Sequence, residues 1–274
     1  YRSDVTGSND WYAATRLTTN KVLVTNSTAA EVDGGTGFVM DFSNGWYGNS
    51  GANSNSYSWM WKRAKGYFDC VCYNGTGSNN TQNHSLSVVP EMMWWKRRDS
   101  ATAGNWLVYH KSYSTNQALF INTNGALLSN QTGNLQSVPT TTQFTVGTYN
   151  GVNNSSGTYI VYLFATLAGV SKVGSYTGTG STQTIDCGFS TGARFILIRN
   201  ITSSFTSSQR NWLVFDSTRG VVSGGDPYLY LNSTSAQSSS EDWIDPHSSG
   251  FQVTNTGGND ANANGGTYIF YAIA

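Results

Sequence analysis

Charge is the scarcest ingredient of this sequence. Of 274 residues only 11% are charged, 15 basic and 15 acidic, for a formal net charge of +0, where an ordinary globular domain carries roughly 25%. A chain without basic excess lacks the field that draws nucleic acid, so no nucleic-acid partner is expected. Long apolar runs are missing too: none approaches the ~20 residues that cross a bilayer as a helix, and no membrane insertion is expected. Proline (4) and cysteine (3) are sparse. An odd thiol count leaves at least one free or paired with another chain. Cys70 and Cys72, two apart in an apparent strand, share a face and fit disulfide geometry poorly. Three small buried cysteines are expected, with no zinc-type spacing. The sequence begins at Tyr1 with no Met and no signal-peptide pattern, so a cleaved segment or a longer polypeptide is expected.

What is plentiful is aromatic and small polar. Trp 9, Tyr 16 and Phe 12 bring the aromatics to 14%, beside 30 Gly. Disordered chains lack such residues, and the uncharged Ser, Thr, Asn and Gly remainder is that of an extracellular or virion β-protein.

Self-similarity organises the chain. Tyr73-Asn74-Gly75-Thr76-Gly77 returns as Tyr176-Thr177-Gly178-Thr179-Gly180, and Met92 to Lys96 as Phe195 to Arg199. Asn105-Trp106-Leu107-Val108-Tyr109 returns as Asn211-Trp212-Leu213-Val214-Phe215, and Leu119 to Thr123 as Leu229 to Ser233. Gly157 to Tyr162 returns as Gly266 to Tyr271. In the first 65 residues Asp10-Trp11-Tyr12, Leu23 to Thr28 and Asn53 to Trp61 repeat only the back half of this pattern, with Trp61 aligned to Leu163. The expected organisation is a C-terminal half-repeat over 1–65, a whole repeat over 66–168 and another over 169–274. A half-unit has an uncovered apolar face, so chain before Tyr1 or packing on a neighbour is expected. Runs of five to eight β-branched and aromatic residues, punctuated by Gly, Asn and Ser, predict strands almost throughout. The fold class is all-β: tandem β-sandwich domains built from repeats of about 100 residues, the first copy truncated.

The ordered landmarks resemble a domain of unknown function that recurs in tandem in virion proteins of marine tailed phages, notably cyanophages. The resemblance rests on Phe-Asp-x-Val-x-Tyr-x-Gly (Phe68 to Gly75), Val-Pro-Glu-Met (Val89 to Met92), Trp-x-Val-Tyr-His (Trp106 to His110) and Gly-Gly-Thr-Tyr (Gly265 to Tyr268). It implies a structural or tail-fibre role on the virion surface and no reaction. Trp94 and Trp95 depart from it, standing where the resembling domains and the later copy have aliphatic residues. Strand alternation sends the two to opposite faces, so one is a candidate surface specialisation.

Chemistry-bearing clusters are few. Glu241-Asp242-Trp243-Ile244-Asp245-Pro246-His247 is the only local acidic group, readable as a loop, a calcium or sugar site, or an acid–base pair. His84, His110 and His247 are scattered, and His110 reads as a hydrogen-bonded edge residue that caps its strand. Gly75-Thr76-Gly77 and Gly178-Thr179-Gly180 lack the lysine and helix of a phosphate loop and read as turns. Recurring Trp11, Trp106 and Trp212 are expected to fill each unit's core. Trp46, Tyr47, Tyr113 and Trp243 do not recur and lie in Gly/Asn/Ser-rich stretches, where they are candidates for stacking on sugars or on partner proteins.

The candidate glycan- or partner-binding set is therefore Trp46, Tyr47, Trp94, Trp95, Tyr113, Asp242, Trp243 and Asp245, with no catalytic residue, metal or cofactor. The expected role is a non-enzymatic tail fibre or related virion appendage whose loops attach to a host-surface polysaccharide. The alternatives are an architectural connector that binds other virion proteins and, third, a tailspike-type depolymerase using Glu241, Asp242 or Asp245. A homo-oligomer, trimeric by the habit of fibres, is expected.

Overall fold

In the computed structural model, residues 1–2, 4–35, 38–42, 45–48, 53–254 and 260–274 are described. The chain is nearly all β, arranged in several antiparallel sheets. β1 (Tyr12–Ala14), β2 (Lys21–Val24) and β3 (Val32–Asp33) form a small sheet, and β4 (Phe38–Phe42) with β5 (Gly45–Gly48) a hairpin.

A middle region contains β6 (Phe68–Asn74), β7 (Asn80–Asn83), β8 (Met92–Arg97), β9 (Leu107–His110), β10 (Leu119–Phe120), β11 (Gln143–Val146), the short helix α1 (Asn150–Asn153) and β12 (Thr158–Phe164). Five strands pair in the order β10-β9-β8-β12-β6, and β11 pairs with β7. The C-terminal region holds β13 (Ser171–Thr177), β14 (Gln183–Asp186), β15 (Phe195–Asn200), β16 (Trp212–Asp216), β17 (Leu229–Tyr230), β18 (Ile244–His247), β19 (Gly250–Val253) and β20 (Thr267–Ile273). Its five-stranded sheet runs β17-β16-β15-β20-β13, the same order by position along the chain, and β14-β19-β18 form a second, smaller sheet.

Both large sheets bury both faces, which is why their strands read as unbroken apolar runs. In β12, Tyr159, Val161 and Leu163 enter a cluster with Phe144 and Val146 of β11. Ile160, Tyr162 and Phe164 point the other way, into a central cluster shared by the whole chain. In β20, Tyr268, Phe270 and Ala272 pack on Phe251 and Val253 of β19, while Ile269 and Tyr271 join the central cluster. Neither tryptophan of β8 is a surface specialisation. Trp95 is buried in the outer cluster, and Trp94 lies half-buried against Phe164 at 4.8 Å on the central one. Alternation did send them to opposite faces, but both faces are covered.

The N-terminal region completes the central cluster from a third side. Arg2 bridges Trp11 and Tyr57, as Arg199 pairs with Trp212 and Ile269. That register aligns Tyr57, Trp59 and Trp61 with Ile160, Tyr162 and Phe164, so Trp61 matches Phe164 and not Leu163. All three pack on the central cluster. On the opposite face of β1, rings of Tyr1, Tyr12, Phe38 and Trp46 stand 4.9–6.5 Å apart, so the β4–β5 hairpin supplies a reduced outer layer.

The two Gly-Thr-Gly segments are strand-connecting turns fixed by buried asparagines. Asn153 Oδ1 accepts from Thr76 N (2.8 Å) and Asn262 Oδ1 from Thr179 N (2.9 Å). A Cβ at Gly75 or Gly178 would meet the carbonyl of Asn154 or Ala263 at 2.1 or 2.2 Å, so glycine there is a packing requirement. Cys70 and Cys187 are buried, Cys72 half-buried, and none is bridged. Burial pushes the Cys70 thiol up to about 11 and that of Cys187 to about 12.

Candidate functional site

The residues singled out from sequence do not meet in one place. Tyr113 is 8% exposed and donates its hydroxyl to the Val108 carbonyl (2.8 Å). Trp243 is 4% exposed, its ring 4.5 Å from that of Tyr228 inside the C-terminal region. With Trp95 they are core residues, and a buried ring offers no face to a sugar. Trp46 is half-buried, stacked on Phe38 at 5.4 Å. Tyr47, 60% exposed, is the one candidate aromatic that faces solvent fully.

Asp242 and Asp245 are half-buried beside a residue that sequence reading passed over, Asp226. Its carboxylate is fully buried, accepting from Val222 N (3.2 Å) and Ile244 N (3.1 Å) at the start of β18. Burial raises the Asp226 carboxyl to about 7, and the charges of Asp242 and Asp245 push the same way, against those two amide bonds. Asp260 is likewise raised to about 7, by burial and then by Glu241. A lone buried Asp in Gly224-Gly225-Asp226-Pro227 gives no periodic signal, since turns collect Asp and Pro anyway. Among the described residues no group of three His, Cys, Asp or Glu could hold a metal ion.

The histidines stay apart. His84 approaches the Thr140 carbonyl (3.2 Å) and His247 the Ser249 hydroxyl (3.1 Å). His110 ends β9, paired with Met92 of β8, and is fully buried, which lowers its imidazole to about 3. It accepts from Ser112 N through Nδ1 (3.1 Å). A surface groove of about 240 Å³ is lined by Tyr57, Trp59, Arg194, Asp216, Ser217 and Thr218. Its carboxylate is already engaged: Asp216 accepts from Trp59 Nε1 (3.1 Å), Arg219 Nε (2.6 Å) and the Thr218 and Arg219 amides.

The strongest recurring constellation is built on the three matched tryptophans. Each Trp amide donates to an asparagine Oδ1: Trp11 to Asn26 (2.9 Å), Trp106 to Asn122 (2.9 Å) and Trp212 to Asn232 (2.8 Å). Each asparagine Nδ2 then donates, at 2.8 Å, to the side chain preceding the tryptophan, Asp10, Asn105 or Asn211. So fixed, each indole reaches out of its own region. Trp11 Nε1 donates to Tyr230 O (3.0 Å), Trp106 Nε1 to Val24 O (2.8 Å) and Trp212 Nε1 to Phe120 O (2.9 Å).

A buried cation accompanies each indole. Arg2 donates to Thr234 O (2.7 Å) and Ser235 O, Lys96 to Thr28 O (2.8 Å), and Arg199 to Gly125 O. Arg2 and Arg199 also lie over the Trp11 and Trp212 rings at 5.4 and 5.5 Å, a cation–π geometry. Burial lowers Arg2 to about 10, Lys96 to about 8 and Arg199 to about 9, which leaves all three charged at neutral pH. A sequence signal was available for two of the three: Lys96 and Arg199 each close an apolar run ahead of a tryptophan. The tryptophans were expected to fill separate cores; they line the shared one instead.

No curated protein and no solved structure matches the chain. Residues 2–274 match a single family over the same span that carries the tryptophan, asparagine and cation contacts, and the chain belongs to that family, described as Domain of unknown function (DUF7483).

Proposed function

We propose that the chain is a non-enzymatic structural protein of a virion appendage, made of tandem β-sandwich repeats over 66–168 and 169–274 with a truncated copy over 1–65. The repeat reading is supported by the matching strand orders and by the threefold recurrence of the Trp–Asn–cation contacts. The observation that carries the architectural role is where those side chains go. The most distinctive residues of each copy bind another part of the same chain, and three of the aromatics that suggested ligand chemistry, Trp95, Tyr113 and Trp243, are core residues. Other virion proteins are the partners this reading calls for.

Immunogold labelling of intact particles tests it. Regular label on a tail or head appendage is the expected result, and recovery of the chain only outside particles overturns it. Attachment to a host-surface polysaccharide is a second reading, and Tyr47, exposed on the β4–β5 hairpin, favours it. Tyr47→Ala should then abolish retention on host cells, while equal retention removes this reading. A depolymerase would need Glu241, Asp242 or Asp245 as acid and base. Clearance of host polysaccharide that is lost in Asp245→Asn would support it, and clearance as fast as wild type would remove that assignment.

A further inference from the structure

We infer that the three regions form a closed head-to-tail ring within one chain, an intramolecular counterpart of a trimer. The inference rests on the repeat reading above and adds a direction to it. The N-terminal Trp11 and Arg2 bind the C-terminal region; the middle Trp106 and Lys96 bind the N-terminal region; the C-terminal Trp212 and Arg199 bind the middle region. Three donors and three acceptors are thus used once each, and the cycle returns to its start. Heterologous contacts of this kind either close into a ring or continue as an open filament. Here they close after three.

The junctions differ in one respect. Residues 62–66 link the first two regions covalently and 165–170 the last two, whereas the N-terminal and C-terminal regions meet only through side chains and backbone. That seam carries further contacts, as the linked junctions do through the Arg98–Glu31 ion pair (2.8 Å) and Arg210 Nε donating to Asn124 O (3.2 Å). Gln237 N donates to Val5 O (2.6 Å), and Trp59 Nε1 donates to Asp216 Oδ2 (3.1 Å). The Arg219–Asp216 ion pair (2.6 Å) is buried, with Arg219 5.7 Å over the Trp59 ring. Because the seam is the only one without a chain link, it is where a second copy of this chain fits: the N-terminal region of one molecule can occupy the C-terminal region of the next. The closed ring is a monomer, and opening the seam yields head-to-tail oligomers.

Light scattering coupled to size exclusion, from ~1 to ~100 μM, tests this. The wild-type chain should run at 29.6 kDa throughout. A multiple of that mass overturns the closed ring, yet leaves the repeat alignment standing, so the two readings fail separately. Trp11→Ala should shift the mass to multiples with the sheet circular-dichroism signal retained, while Trp106→Ala, at a linked junction, stays monomeric. If Trp11→Ala does not fold, Trp11→Phe, which keeps ring volume and removes the indole donor, is read by the same measurement. A Trp11→Phe protein that is wholly monomeric at the highest concentration, with wild-type stability, overturns the role of the seam.

Discussion

The segment Tyr57–Trp61 and the strand β12 do the same work on one face and opposite work on the other. Tyr57, Trp59 and Trp61 face the central cluster as Ile160, Tyr162 and Phe164 do. Between them, Ser58, Met60 and Lys62 are exposed, where Val161, Leu163 and Ala165 are buried under the outer layer of the middle region. This N-terminal segment therefore keeps the face that packs on the central cluster and carries exposed Ser58, Met60 and Lys62 on the other. Sheet faces alternate residue by residue, so a strand can lose one layer without disturbing the other. The outward face of this segment is mixed: Ser58 and Lys62 are polar, while Met60 is 59% exposed. Leu17 and Val32 of the same region are exposed too, whereas Phe38 packs against Tyr12 of β1 and Trp46 against Phe38.

The largest expected effect comes from the shared face. Trp212→Ala removes a fully buried ring, its hydrogen bond to Phe120 O and the partner of Arg199, and should cost about 3–5 kcal/mol in urea unfolding. A loss below about 1 kcal/mol would show that the central cluster is not shared. Next comes the face on which the two segments differ. Leu163→Ser should cost at least about 2 kcal/mol through cavity and polar burial, and Met60→Ser, 59% exposed at the matching strand position, less than about 0.5 kcal/mol. Similar costs would mean that the N-terminal region does bury this face.

A smaller effect separates the middle and C-terminal regions. Asp226 is raised to about 7 when folded, against about 3.9 unfolded. Between those values the folded state holds a proton that the unfolded state has released, so stability is fully present below about pH 4 and falls as pH rises to about 7. The middle region has Asn116 at the matching position before its short strand β10. Melting of Asp226→Asn should show a shallower decline over that window than wild type; parallel curves would count against the buried carboxyl. The smallest effect is expected at the hairpin, where Tyr47→Ala should leave stability within about 0.5 kcal/mol, so a change in host-cell retention there reports on binding alone.

Much was legible without coordinates. The all-β class followed from aromatic and β-branched runs, and the matched landmarks fell on matching strands, as Met92 to Lys96 and Phe195 to Arg199 do on β8 and β15. Free cysteines and the Gly-Thr-Gly turns were local matters of spacing and backbone. The site was legible only in part: the tryptophans stood out, and Lys96 and Arg199 closed matched runs. What those cations reach, and Arg2 and Asp226 altogether, were not legible, because a cation or acid carries no mark of its distant partner.

The sequence alone determined which residues alternate and where strands turn, since each depends on neighbours a few positions away. Only the tertiary structure decided which faces are covered. Trp95, Tyr113 and Trp243 became core, Tyr47 stayed at the surface, and the indoles of Trp11, Trp106 and Trp212 left their own regions. Burial and hydrogen-bond partners are set by chain segments as far apart as Trp11 and Tyr230. No local pattern encodes which of many equivalent backbone carbonyls will lie within reach of a given indole.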